Sequence, residues 1–86
     1  MTDELLEFPC EFPIKMMGRD QPEFREAAIA VVERHAGHIA EDAVRVAASS
    51  NGNFLSITVT ITATSREQLD NIYRDLTDDE QILVAL

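Results

Sequence analysis

The stretch "NFLSITVTITAT" at 53–64 admits very few structures. Leu55, Ile57, Val59, Ile61 and Ala63 alternate without error with Ser56, Thr58, Thr60 and Thr62. A period of two in β-branched residues means a strand with one buried face and one polar face. A helix would scatter both sets around its circumference. The chain therefore contains a sheet, and one face of that sheet carries a column of hydroxyls instead of a core.

The preceding residues supply a partner strand. "AVRVAASS" at 43–50 alternates more weakly, and Asn51-Gly52 between the two runs is the preferred pair for a two-residue type I′ hairpin turn. That turn sets Ser50 opposite Asn53, Ala48 opposite Leu55, Val46 opposite Ile57 and Val44 opposite Val59. It leaves Arg45 beside Thr58 on the polar face. A loop longer by one residue would set valines against threonines.

Four further elements follow from pattern. "FPIKMMG" at 12–18 places Phe12, Ile14 and Met16 on one face and Pro13, Lys15 and Met17 on the other, with Gly18 ending the strand. The helix after it begins with Asp20 and Glu23 at capping-box spacing and Pro22 in the first turn. Its stripe is Phe24, Ala28, Val31, Val32 and His35, and Gly37 ends it. "SREQLDNIYRDL" is a second helix, capped by Ser65 and Gln68, with Leu69, Ile72, Tyr73 and Leu76 as its stripe. "TDDE" is a turn, and "QILVAL" is a closing strand. The order β-α-β-β-α-β, with right-handed crossovers, predicts an α+β ferredoxin-like sandwich. Its four-stranded antiparallel sheet has order 4-1-3-2, and both helices lie on one face. Residues 1–86 form one such domain, with 1–11 as an N-terminal arm in which Leu5, Leu6 and Phe8 either cross the open face or close the end of the core.

Charge narrows the function. Sixteen acidic against seven basic residues give a net charge of −9. Nucleic-acid binders neutralise phosphates with Lys and Arg, so a polyanion is the wrong partner, and an anionic membrane surface is disfavoured for the same reason. No segment approaches the roughly 20 apolar residues of a membrane span. One cysteine precludes an internal disulfide and suits a reducing cytoplasm.

The candidate chemistry is sparse. Cys10 lies between Pro9 and Glu11, and an adjacent carboxylate does not favour a thiolate. His35 and His38 have a spacing found in metal sites, but zinc needs three or four ligands, so Cys10 and Glu41 would have to converge on them. Asp78, Asp79 and Glu80 read as a solvated turn. Lys15, Arg45, Thr58 and Thr60 share the polar sheet face and form the first candidate binding group. That face holds no aromatic in this register, unlike the stacking platforms of RNA-binding sheets. Ser49, Ser50, Asn51 and Gly52 at the hairpin tip form the second group, a small nest for an anion.

"LLEFPCEFPIKMMG", the "PEF" that opens the first helix, "VVERHA", and above all "SSNGNFLSITVTITATS" resemble the YbeD family of small bacterial proteins across nearly the whole chain. Asn51 stands where that family commonly has lysine, and Phe54 where it often has tyrosine. The resemblance implies a ferredoxin-like fold akin to the ACT domains that sense amino acids, and it transfers no catalytic residue. ACT domains hold ligand at the loop after the first strand, with a glycine admitting close backbone approach. Here "DQPE" at 20–23 puts Glu23 at that place. The expectation is a non-catalytic regulatory or adaptor module in the cytoplasm, holding a protein partner or small metabolite without a cofactor. Self-association through the weakly protected second strand is a further expectation. The rival is a small thiol- or metal-dependent enzyme built on Cys10, His35 and His38.

Overall fold

The computed structural model describes residues 6–49 and 51–86. Strand β1 (Cys10–Arg19) leads into helix α1 (Pro22–Ala36). A short 3₁₀ turn (Glu41–Ala43) enters β2 (Val44–Ala48), which is followed by β3 (Phe54–Ala63), helix α2 (Arg66–Asp78) and β4 (Val84–Ala85). The sheet order is β2-β3-β1-β4, the expected 4-1-3-2 read from the other edge, and all pairings are antiparallel. The α+β ferredoxin-like architecture is the one the alternation and element order demand.

β1 and β3 pair along their whole length, from Cys10 opposite Ala63 to Arg19 opposite Phe54. Their inward side chains, Ile14 and Met16 against Leu55, Ile57, Val59, Ile61 and Ala63, are buried. The helices close over them with Phe24, Ala28, Val31 and Val32 from α1 and Leu69, Ile72 and Leu76 from α2. Fully burying each large apolar side chain contributes about 1.5–3 kcal/mol, so this layer carries most of the fold's stability. Ile82 seals the entry to β4, and Leu6, Phe8 and Cys10 pack against the end of the core. The arm therefore serves the core instead of crossing the open face. It is also shorter than 1–11, because the ladder begins at Cys10, and Leu5 lies outside the described residues.

The expected hairpin register holds: Val44 faces Val59, Arg45 faces Thr58 and Val46 faces Ile57. The turn type does not. Gly52 has φ +77°, but no residue other than glycine among those described has positive φ, so Asn51 is not a type I′ residue. Instead the Gly52 N–H donates to the Ser49 carbonyl, and the Ser49 N–H donates to the Phe54 carbonyl. The hairpin closes one pair lower, around a four-residue connection. Loops of two and four residues preserve the same register, so facing residues could not distinguish them. Ser50 itself lies outside the described residues.

Three further expectations change. α1 is capped at Gln21 with no side-chain hydrogen bond, so Asp20 and Glu23 form no capping box, although Pro22 does take the first helical position. The Asp20 N–H is instead spent on the Asn53 carbonyl, tying β1 to the hairpin tip. Val46 points to the helix side of the sheet yet remains 45 % exposed, because the helices cover the two central strands and leave β2 at the edge. Finally, Gly18 does not end β1. It lies within the strand, where a Cβ would run into the Phe24 ring and stand 2.6 Å from the Gln81 carbonyl oxygen. The absent side chain lets α1 and the α2–β4 connection close over the strand together.

Replacing Gly18 with alanine is expected to destabilise the fold by about 2–3 kcal/mol, since backbone forms one wall of the clash. Urea denaturation would show this as a lower midpoint with an unchanged slope.

Candidate functional site

The open sheet face is built by residue parity. Counted from β4 to β2, one row runs Leu86, Lys15, Thr58, Arg45, and the next runs Val84, Met17, Ser56, Ala47. Beyond them Arg19 pairs with Phe54, and the other end of the face holds Pro13 opposite Thr60 and Glu11 opposite Thr62. Strands are about 4.8 Å apart, so Lys15 and Arg45 flank the Thr58 hydroxyl with roughly 10 Å between their Cβ atoms. The structure thus brings Lys15, Arg45, Thr58 and Thr60 onto one surface, as their spacing requires.

Two features of this face were not foreseen. The first is aromatic: Phe54 lies on it, with the Arg19 guanidinium 5.7 Å from its ring centroid, a cation–π distance. Both residues have the parity of Met17 and Ser56; ending β1 at Gly18 hid Arg19, whereas Phe54 stands inside the 53–64 run and the reading of that face as free of aromatics overlooked it. The second is an apolar edge. Met17, Val84 and Leu86 are 36 %, 43 % and 64 % exposed, and they adjoin one another across β1 and β4. Tyr73 on α2 secures this edge by donating its hydroxyl to the Leu86 carbonyl at 2.8 Å, and burial raises its phenol pKa.

The second candidate group is separate from the first. Ser49 Oγ donates to Asn51 Oδ1 at 2.8 Å and accepts from the Phe54 N–H at 3.1 Å. Asn51 Oδ1 also accepts from the Asn53 N–H at 3.2 Å. The N–H groups of Gly52, Asn53 and Phe54 are thereby satisfied within the turn and are not presented to an anion. Ser49, Asn51 and Gly52 shape the tip, and the side chains that would make it a nest are used to close it.

These observations place the chain among known proteins. Residues 3–86 match the family described as "Protein of unknown function (DUF493)". The chain belongs to the DUF493 family. Relatives named "UPF0250 protein" include one from Paraburkholderia phytofirmans, 46 % identical over 86 residues, covering 100 % of this chain and 97 % of the relative. Another, from Chromobacterium violaceum, is 49 % identical over 83 residues, covering 96 % and 93 %. The solution structure of protein HP0495 from H. pylori superposes with a TM-score of 0.65 at 14 % identity, covering 94 % of this chain and 85 % of that one. That likeness is one of fold. The YbeD resemblance read from the sequence is membership of this same family.

Within this DUF493 fold, the remaining polar chemistry lies on the helix side. Asp75 on α2 accepts from Arg34 Nη1 at 3.0 Å, and His35 Nε2 lies 2.7 Å from the same oxygen, joining the C-terminal half of α1 to α2. His38 points elsewhere, its Nδ1 3.8 Å from Glu33 Oε2. The two histidines therefore do not converge, and Cys10 is half-buried in the first pairing of β1 with β3. Among the described residues no three His, Cys, Asp or Glu side chains stand where they could share a metal ion. No described helix is long and apolar enough to cross a membrane. Asp79 Oδ1 accepts from the Gln81 N–H, so the expected acidic turn leads the chain into β4.

Two hollows adjoin these groups. One, of about 340 Å³, lies at the β1–α1 loop between Asp20, Gln21, Pro22, Arg25, Glu26 and Leu55. A second, of about 320 Å³, lies at the acidic end of the sheet face, between Glu11, Asp42, Ala43, Arg45 and Thr60.

The hydrogen bond from His35 first, and the one from Arg34 after it, hold the Asp75 carboxyl below the usual aspartate range against the opposing effect of desolvation. A depressed folded-state pKa contributes stability above the unfolded pKa, and that contribution is lost as pH falls through the folded one. The melting temperature should therefore fall more steeply below about pH 4 in the native chain than in Asp75→Asn, which has no carboxylate to protonate there. Circular dichroism melts across acid pH check this; parallel profiles would contradict it.

Proposed function

We propose that this DUF493 protein is a cytoplasmic, non-catalytic adaptor whose open sheet face docks a protein partner. The observation that carries the reading is the composition of that face. On a chain of net charge −9, it gathers Lys15, Arg19 and Arg45 beside an exposed apolar edge. Cations concentrated on one surface of an acidic molecule, next to uncovered large apolar side chains, favour specific contact over simple solvation. Four strands contribute to this face, an extent suited to a protein surface, whereas small molecules favour concave sites. The β1–α1 hollow is where a metabolite would sit, but Asp20 and Glu26 line it with only Arg25 to offset them, which disfavours a carboxylate ligand.

A photo-crosslinking amino acid at Ala47, on the open face, should give a discrete, saturable adduct in cells. The same group at Glu67, on the exposed side of α2, should give none. Adducts from Glu67 alone, or equally from both, would remove the sheet face as the docking surface.

A second reading rests on β2. It is an edge strand of small or apolar residues, Val46, Ala47 and Ala48, with Arg45 as its one charge. Such an edge invites pairing with a second copy. Since the Ser49 N–H points inward to Phe54, alternation turns the Ala48 N–H outward. Sedimentation at rising concentration should then show a dimer in the native chain and a monomer in Ala48→Pro, whereas a native monomer at high micromolar concentration would refute edge pairing.

A further inference from the structure

The sheet face carries a more specific partner chemistry, in an inference that rests on the docking reading above. The row Val84, Met17, Ser56, Ala47 is apolar or small from edge to edge. On one side of it the neighbouring row holds Lys15 and Arg45. On the other side stands Arg19 over Phe54. Lys15 and Arg19 are four residue steps apart on β1, about 13 Å along the strand. Four strands span about 14 Å across it. The result is an apolar track bordered by cations on both sides, as wide as a helix with its side chains, about 10–12 Å.

Among the described residues no ion pair holds Lys15, Arg19 or Arg45. The acids near this face are Glu11, opposite Thr62 at its far end, Asp42, which lines a hollow with Arg45, and Glu80, which lines another with Arg19. Most other described acids lie on the helices and their loops, away from this track. A basic partner would be drawn to the helix side and find cations here. A neutral apolar partner would leave the cations desolvated without counter-charges, which is costly. The partner that satisfies both features has apolar side chains along its middle and carboxylates along its flanks.

We propose that the track between Lys15, Arg45 and Arg19 docks an acidic amphipathic segment of another protein, its large apolar side chains over Met17 and Val84 and its carboxylates beside the three cations. Phe54 adds an aromatic wall at one end, and the Ser56 and Thr58 hydroxyls donate to carboxylates or backbone carbonyls that come within reach.

The probe is a labelled synthetic peptide of 14 residues with leucines at helical spacing and glutamates on both flanks. Its control has every glutamate replaced by lysine. Fluorescence anisotropy at low salt should show saturable binding of the acidic peptide and none of the basic one. Affinity should fall at least tenfold in Lys15→Glu with Arg45→Glu, and similarly in Met17→Ser with Val84→Ser. Arg74→Glu, on the far side of α2, should bind as the native chain does. Circular dichroism confirms that each variant is folded, and Lys15→Gln with Arg45→Gln provides a milder pair with the same expected direction. Amide chemical shifts separate this inference from the reading beneath it. Failure of the acidic peptide while the basic one perturbs Ser56 and Thr58 overturns the acidic class and leaves the docking face standing. Perturbation confined to the helices, or affinity unchanged by the charge reversals, overturns both. An absence of binding by either peptide overturns the acidic segment.

Discussion

The pairing of β1 with β3 is the constraint on which the rest depends. Both strands are ten residues long, they lie at the centre of the sheet, and every residue of one faces a residue of the other. One side of this ribbon is continuous apolar surface that must be covered, and α1 and α2 cover it. Its other side is formed by the intervening residues. Any face chosen for the core therefore selects the open face as well, because a strand has no third direction for a side chain to take. A shift of one residue would drive Thr58 and Lys15 into the core and expose Ile57 and Met16, so the register of the open face is held by the energy of the core.

That coupling explains why the surface has its particular electrostatic character. Helices tolerate acidic residues on their solvent sides, and most of the chain's negative charge lies there or in the adjoining loops. The sheet face is reached only by alternate residues of four strands, and those positions carry hydroxyls, small side chains, three cations, an apolar edge and, at one end, Glu11. For the acidic partner proposed, long-range repulsion would act on the helix side and attraction on the sheet side. Short-range apolar contact at Met17 and Val84 would then supply what screened charges at a wet surface cannot.

Much of this was legible in the linear sequence. Perfect alternation at 55–63 gave β3 and its two faces. Facing apolar residues gave the β2–β3 register, and the stripes of α1 and α2 named the core residues with little error. Two of the misses, Gly18 and Asp20, were places where a local rule met a tertiary demand, and the third was a local competition between turn types. Gly18 looks like a strand terminator, but it is an internal strand residue emptied of its side chain so that Phe24 and Gln81 can approach. Ending the strand there concealed Arg19, while Phe54 was legible by its parity with Ser56 and was overlooked. Asp20 resembles a cap, but its backbone is committed to Asn53, and helix α1 starts one residue later. Asn51-Gly52 looks like a two-residue turn, but Ser49 and Asn51 satisfy the tip through their side chains, and an even loop length leaves the register unaltered.

The sequence by itself determined the periodic properties: which segments are strands and helices, which side of each is apolar, the order of the elements and the net charge. Periodicity is a local property, so a single chain displays it in full. The tertiary structure decided which residues become neighbours across elements. It set Lys15, Thr58 and Arg45 in one row and placed Arg19 over Phe54. It also left Met17, Val84 and Leu86 exposed together, while drawing His35 to Asp75 and away from His38. Those outcomes depend on strand order and on where the helices stop covering the sheet, and these are set by packing between segments far apart in the chain.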